Sequence, residues 1–218
     1  MKENIFIDVS RFKPEITEKE KTELDNKNIK ECPFCGINIE KHSHYHFKNN
    51  KWYKSCSYCY YSENIDNLIA MNKGDFIFLN DISQTDLFNI LRHIYYLDYL
   101  QKNKNSKENK QIKVDEHIEE IYDSFLLIKD SLSDRKEYAA NLICPSANDI
   151  NIVTDYLSVC SKEEYDNAKH TLKYLRWLPN EDVFKEEILW WIENNFDNKF
   201  HPKNYKSIIL NFGNKNND

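Results

Sequence analysis

Glycine occurs only 3 times and proline 5 times in 218 residues. So few turn-formers exclude a turn-rich sandwich, a collagen-like repeat or a low-complexity tail. Arginine is nearly as scarce, at Arg11, Arg92, Arg135 and Arg176. The remaining basic charge is lysine scattered among acids, and 36 acidic against 30 basic side chains leave a net charge of −6. A general nucleic-acid surface, which needs a basic stripe, is disfavoured. No window approaches the roughly 18 consecutive apolar residues of a membrane span. The longest candidate, Leu87 to Leu100, is broken by Asn89, Arg92, His93 and Asp98. The opening MKENIFIDVSRF lacks the basic region and apolar stretch of a secretory signal. The expected setting is cytosolic and reducing, where six cysteines serve as metal ligands or buried thiols, not disulfides.

What the chain does have is aromatic residues, 14% of the total, and amphipathic runs. Together they predict an α+β, mainly helical fold. Asn4 to Val9 reads as a short strand, and Thr17-Glu18-Lys19-Glu20 as a capping box opening a helix to about Asn26. Between the cysteine pairs, alternation about Asn49-Asn50 predicts a hairpin. Asp75 to Leu79 reads as a strand. Ser83 caps a helix to about Gln101 whose Leu87, Ile90, Leu91, Ile94 and Leu97 form one stripe. KNKNSKENK, Lys102 to Lys110, reads as an exposed connection. Val114 to Ile128, Asp134 to Leu142 and Asp149 to Val159 read as three further helices. A capping box at Ser161 opens another, with Ala168, Leu172 and Leu175 on one face, ending before Pro179. Asn180-Glu181-Asp182 starts the last, with Phe184, Ile188, Trp191 and Ile192 inward. The expected organisation is an N-terminal segment and cysteine finger over residues 1–65, and a strand plus helical bundle over 66–218, packed together as one unit.

Cys32-Pro33-Phe34-Cys35 and Cys56-Ser57-Tyr58-Cys59 are two C-x-x-C pairs separated by 20 residues. Two intervening residues let each pair turn both sulfurs inward, and four thiolates at about 2.3 Å satisfy a tetrahedral zinc ion. Gly36 relieves the turn after Cys35. A redox dithiol would need one pair beside a βαβ pattern, which is lacking, and an iron–sulfur cluster has no redox partner motif in view. A closed four-cysteine site has no open coordination position, so Zn2+ would be structural. Cys144 and Cys160, among apolar neighbours, read as buried thiols. No catalytic or cofactor-binding motif stands out, and acidic groups such as Glu181-Asp182-Glu186-Glu187 read as solvated helix faces.

His42, His44 and His46 alternate beside the metal pairs. An HNH-type nuclease uses a similar ββα finger in which a histidine activates water, so His44 and His46 are the candidates for that alternative. The sequence does not complete the set: no histidine follows Cys59 before His93, and Asn64 and Asn67 lie beyond the second pair. The three histidines therefore read as exposed strand residues. Trp52, Tyr53, Tyr60, Tyr61, Trp177, Trp190 and Trp191 exceed the evident needs of one core and suit a partner surface.

The cysteine finger, the segment GDFIFLNDISQTDLFNILRHIYYL and the later LRWLPNEDVFKEEILWW, in this order, resemble the IcmJ (DotN) family of type IVB (Dot/Icm) secretion systems. The resemblance spans roughly Cys32 to Phe196. It implies an HNH-like zinc fold without nuclease activity, with Cys32, Cys35, Cys56 and Cys59 as metal ligands. The implied role is an adaptor that binds the cytoplasmic C-terminal tail of a DotL-like coupling ATPase, beside other coupling-complex subunits, for effector recruitment. Such a subunit would be cytoplasmic, bind no nucleic acid and meet the inner membrane only through its partners.

Overall fold

The computed structural model describes residues 5–68, 74–103, 116–142 and 145–195. Helix α1, Glu18–Asp25, starts at Thr17, where both halves of the capping box are made. The hairpin follows as β1, His44–Lys48, and β2, Lys51–Ser55, antiparallel with His46 opposite Tyr53. Asn49 and Asn50 both take positive φ, 48° and 59°, the conformation a two-residue primed turn demands. Helix α2, Ser57–Ser62, and a single 3₁₀ turn, Ile65–Leu68, complete the cysteine unit.

Strand β3, Gly74–Phe78, leads to α3, Gln84–Lys102, capped by Ser83 as expected. The region expected to hold two helices is one, α4, Glu116–Leu142. No glycine or proline stands between Ile128 and Asp134, so nothing interrupts the backbone ladder. Helices α5, Ile150–Val159, and α6, Lys162–Leu172, are capped by Asp149 and Ser161. The largest departure comes next. Leu175–Pro179 does not continue α6 but forms β4, paired antiparallel with β3, Phe78 opposite Leu175 and Gly74 opposite Pro179. The last helix, α7, is Lys185–Asn195, beginning after a turn in which Phe184 N–H donates to Glu181 O at 3.2 Å.

The expected N-terminal strand forms no ladder between Ile5 and Val9. Ile5, Ile7 and Val9 are buried as their alternation implies, but the segment is tied to the 3₁₀ region by Asp8 N–H to Ser62 O and Ile65 N–H to Asp8 O, each 3.0 Å. Asn4 and most of the KNKNSKENK stretch lie outside the described residues.

One contiguous buried cluster joins Phe34 and Tyr58 of the finger to Phe76, Phe88, Trp177, Phe184 and Trp191. Tyr58 is its hub, with Phe88, Phe184 and Trp191 at centroid distances of 5.0 Å and Trp177 at 5.8 Å. Aromatic side chains bury about 150–250 Å² each and gain from edge-to-face contacts. The finger is therefore packed into the body by apolar area. Gly74 is required at its place: φ is +129°, and an added Cβ would lie 2.0 Å from Leu178 O. No helix among the described residues is long and apolar enough to cross a membrane.

Candidate metal centre

The first cysteine pair sits in a tight loop closed by Cys32 N–H to Ile37 O and Gly36 N–H to Cys32 O, both 2.8 Å. Gly36 supplies the positive φ, 80°. The second pair sits at the start of α2, where Cys56 is the N-cap and its sulfur accepts from Cys59 N–H at 3.5 Å. These two local structures bring the sulfurs of Cys32, Cys35, Cys56 and Cys59 within 4.8 Å of one another, all buried. Cys35 and Cys56 sulfurs are 3.6 Å apart. A tetrahedron of 2.3 Å metal–sulfur bonds has edges of about 3.8 Å, so the four thiols fit one metal ion. Among the described residues no histidine or carboxylate joins this group.

Burial opposes ionisation of Cys35, Cys56 and Cys59. At Cys35 it is overcome by hydrogen bonds from Cys32, Cys56 and Cys59 and by the charge of Arg92, which together hold that thiol well below its usual range. Cys56 and Cys59 are pushed well above theirs, first by burial. A bound cation would offset the cost of burying charged thiolates together. Arg92, read in the sequence as one of the polar residues that break the apolar run from Leu87 to Leu100, lies buried beneath the cluster. Its Nη2 is 3.4 Å from Cys35 Sγ and 3.6 Å from Cys56 Sγ. Glu187 of α7, expected on a solvated face, is buried instead, and that burial pushes its carboxyl up to about 7 against hydrogen bonds from Ser57.

The histidines part company. His46, expected to be exposed, is fully buried. The strand alternation that should have placed it outward instead faces it into the finger, between Phe34 and α2. Its Nδ1 meets Ser55 Oγ at 3.0 Å and its Nε2 meets Glu63 Oε2 at 2.8 Å. Lys48 Nζ donates to the other Glu63 oxygen, and Lys13 Nζ donates to Glu63 O and, at 3.4 Å, to Asn64 Oδ1. Burial pushes the His46 pKa down despite Glu63, so a neutral imidazole donates from Nε2 and accepts at Nδ1. Burial would raise Glu63, but His46 and Lys48 together hold it below the usual carboxylate range. His44 lies at the flank, stacked on Tyr60 at 4.6 Å with Nε2 3.0 Å from Ser57 Oγ. His42 is partly buried, edge-on to Trp190 at 5.9 Å.

The aromatic residues offered as partner anchors divide likewise. Trp177 and Trp191 are core residues, 0% and 1% exposed. Trp52, Tyr53, Tyr60, Tyr61 and Trp190 are half-buried. The exposed apolar groups lie elsewhere, Leu127 and Tyr138 of α4 among them, and three of them, Ile152, Tyr156 and Val159, at 50%, 48% and 79% exposure, share one face of α5. Cys160 is buried as expected, while Cys144 lies outside the described residues. The sequence offered no local signal for Glu63 or Arg92, because both act on groups more than 15 residues away or on another element. No family model matches the chain, and no curated protein matches it.

Proposed function

We propose that this chain is a non-catalytic, zinc-binding adaptor. One observation carries the reading: four buried thiols lie within 4.8 Å of one another, and an ion held by all four would have no position left for a substrate or an attacking water. When bound, the ion supplies a crosslink between the two knuckles. Zinc is the ion favoured by an all-thiolate tetrahedron in a chain with no redox motif. The order knuckle, hairpin, knuckle, helix supports an HNH-like finger that does no chemistry.

The alternative is a metal-dependent nuclease acting through His44 and His46. The His46–Glu63 contact is the observation on its side, since a histidine and a carboxylate could share a catalytic cation. Lys48 occupies the free side of that carboxylate, Ser55 takes the other imidazole nitrogen, and the pair is sealed from solvent. His44 keeps its Nε2 on Ser57. These contacts favour a structural cluster over an active site.

As to partners, we propose from the resemblance to the IcmJ (DotN) family that this is a type IVB coupling-complex subunit that binds the C-terminal tail of a DotL-like ATPase and reaches the inner membrane through it. The exposed stripe Ile152, Tyr156 and Val159 supports a docking role, with anchors spaced to meet an amphipathic segment. The test has three arms. Purified protein should carry about one zinc per chain, leave plasmid DNA intact with magnesium or manganese, and bind a peptide from the ATPase tail in calorimetry. No heat of binding removes the adaptor reading; nicking that His46→Ala abolishes replaces it with the nuclease.

A further inference from the structure

Arg92 presents an anomaly of burial. It is 3% exposed, on the third turn of α3, with no carboxylate within ion-pair distance among the described residues. An unpaired buried guanidinium is costly enough to be rare. Its surroundings explain it. Nη1 donates to Asn89 Oδ1 at 3.0 Å, and Nη2 points at two sulfurs, Cys35 and Cys56. The guanidinium lies 4.8 Å from the Trp191 ring centroid and 5.7 Å from that of Tyr58. It therefore bridges the finger, α3 and α7.

From this geometry we infer that Arg92 is the charge-compensating residue of the metal centre, donating to the thiolates of Cys35 and Cys56 and fastening the loaded finger to α3 and α7. The inference rests on the four-thiolate zinc reading. A divalent ion held by four thiolates carries a net charge of −2, and burying such a group away from water is unfavourable unless something neutralises it. Arg92 supplies one positive charge at hydrogen-bonding distance from two of the four ligands, lowering the net charge to −1. Glu187 does not offset it in full, because burial favours its protonated form. The dependence runs both ways. Thiolates fixed by a metal give the buried guanidinium its counter-charge, and the guanidinium makes the thiolates better able to remain charged in an apolar core.

The tests compare the full-length parent with Arg92→Met, which keeps much of the volume but neither charge nor donor, and with Arg92→Lys, which keeps the charge on a single ammonium. Phe88→Leu serves as a packing control, since Phe88 shares the helix and packs against Tyr58 and Trp177 without contacting a sulfur. Two readouts are used: zinc affinity by competition with a colorimetric chelator, and the sulfur-to-cobalt charge-transfer bands of cobalt(II)-substituted protein. Loss of partners around a metal's ligands weakens metal binding about 10- to 100-fold. Arg92→Met is expected to fall in that range and to move the cobalt bands to lower energy, because thiolates without the hydrogen bond give up electron density more readily. Arg92→Lys should recover most of the affinity with a smaller band shift, and Phe88→Leu should lower the melting temperature while leaving both readouts at parental values. If Arg92→Met fails to fold, Arg92→Leu, which also lacks charge and donor on a smaller side chain, carries the same comparison, and Arg92→Gln, a neutral donor, tests the charge alone through the zinc affinity. Parental affinity and unshifted bands in the variant lacking both charge and donor overturn the inference while leaving the zinc reading intact. A parent that binds neither zinc nor cobalt overturns both.

Discussion

Removal of the Glu63 carboxylate is the sharpest single test of how the finger is held. Glu63 is 3% exposed and accepts from His46 Nε2 at 2.8 Å, from Lys48 Nζ, and from Phe6 N–H at 3.4 Å. Lys48 and Lys13 have side chains only 13% and 14% exposed. Glu63→Ala leaves a buried imidazole N–H without an acceptor and a largely buried ammonium without its counter-charge. Breaking a buried pair from one side costs about 3–5 kcal/mol. For a chain of this size about 2–4 °C is lost per kcal/mol, so the melting temperature should fall by about 10 °C. Glu63→Gln keeps an acceptor for His46 and should cost less, about 2 kcal/mol. The double variant Glu63→Gln, Lys48→Met should be less destabilised than the sum of its singles, a coupling measurable in a urea-denaturation cycle on zinc-loaded protein. The pH dependence has a definite sign. Because His46 and Lys48 hold the folded-state pKa of Glu63 below its ordinary value, its contribution is present above the ordinary carboxylate pKa of about 4.3 and is lost as pH falls through the folded value. A Glu63→Ala protein within about 1 kcal/mol of the parent would refute the reasoning, since no buried cluster can lose its anion so cheaply.

Other outcomes follow from the same geometry. Gly74→Ala should destabilise by about 3 kcal/mol or more, because the residue needs positive φ and its Cβ would overlap Leu178 O; a parental melting curve contradicts this. Burial, aided by Arg92, pushes His93 down to about 4, against about 6.5 in an unfolded chain. Its contribution is therefore intact above pH 6.5 and lost towards pH 4, about 3 kcal/mol in all; His93→Phe should flatten that part of the stability profile. Cys56→Ser should release the metal and unfold the finger, with exchange protection lost first in β1, β2 and α2, and retention of one zinc per chain would disprove the site. Val159→Asp should leave stability within about 0.5 kcal/mol of the parent yet abolish binding of the proposed ATPase-tail peptide; unchanged binding moves the docking surface elsewhere.

The elements legible in the sequence are those whose cause is local. Thr17 and Ser161 cap their helices through a glutamate three residues on, Asn49-Asn50 carries its own turn, and each C-x-x-C pair folds on itself. The four cysteines that cluster could be picked out for that reason. Strand β4 could not, because Ala168, Leu172 and Leu175 keep helical spacing across the true end of α6; what makes Leu175–Pro179 a strand is β3, far away in the chain. Gln84 also contributes, trading hydrogen bonds of 2.8 Å with both polar backbone groups of Trp177. His46 shows the converse case. Its alternation was visible, but its inward face depends on Glu63 and Lys48, and a histidine's polarity alone argues for the surface. The strand reading of Asn4 to Val9 fails between Ile5 and Val9 because period-two alternation, which matches the burial of Ile5, Ile7 and Val9, specifies which side chains face in and not whether a neighbouring strand exists.

The pairing of β3 with β4 also sets an order of events during synthesis. Both cysteine knuckles and the hairpin between them lie within the first 59 residues, and the hairpin register and the turn within each knuckle are set by neighbours close in the chain. Tyr58 belongs to that early unit, yet Trp177, Phe184 and Trp191, which surround it, are among the last described residues to leave the ribosome. At about 5–20 residues per second, roughly 6–24 s pass between the emergence of Cys59 and that of Pro179. For that interval Tyr58 stands without the aromatic side chains that later cover it, and the shared aromatic core closes only once the last described strand and helix have emerged.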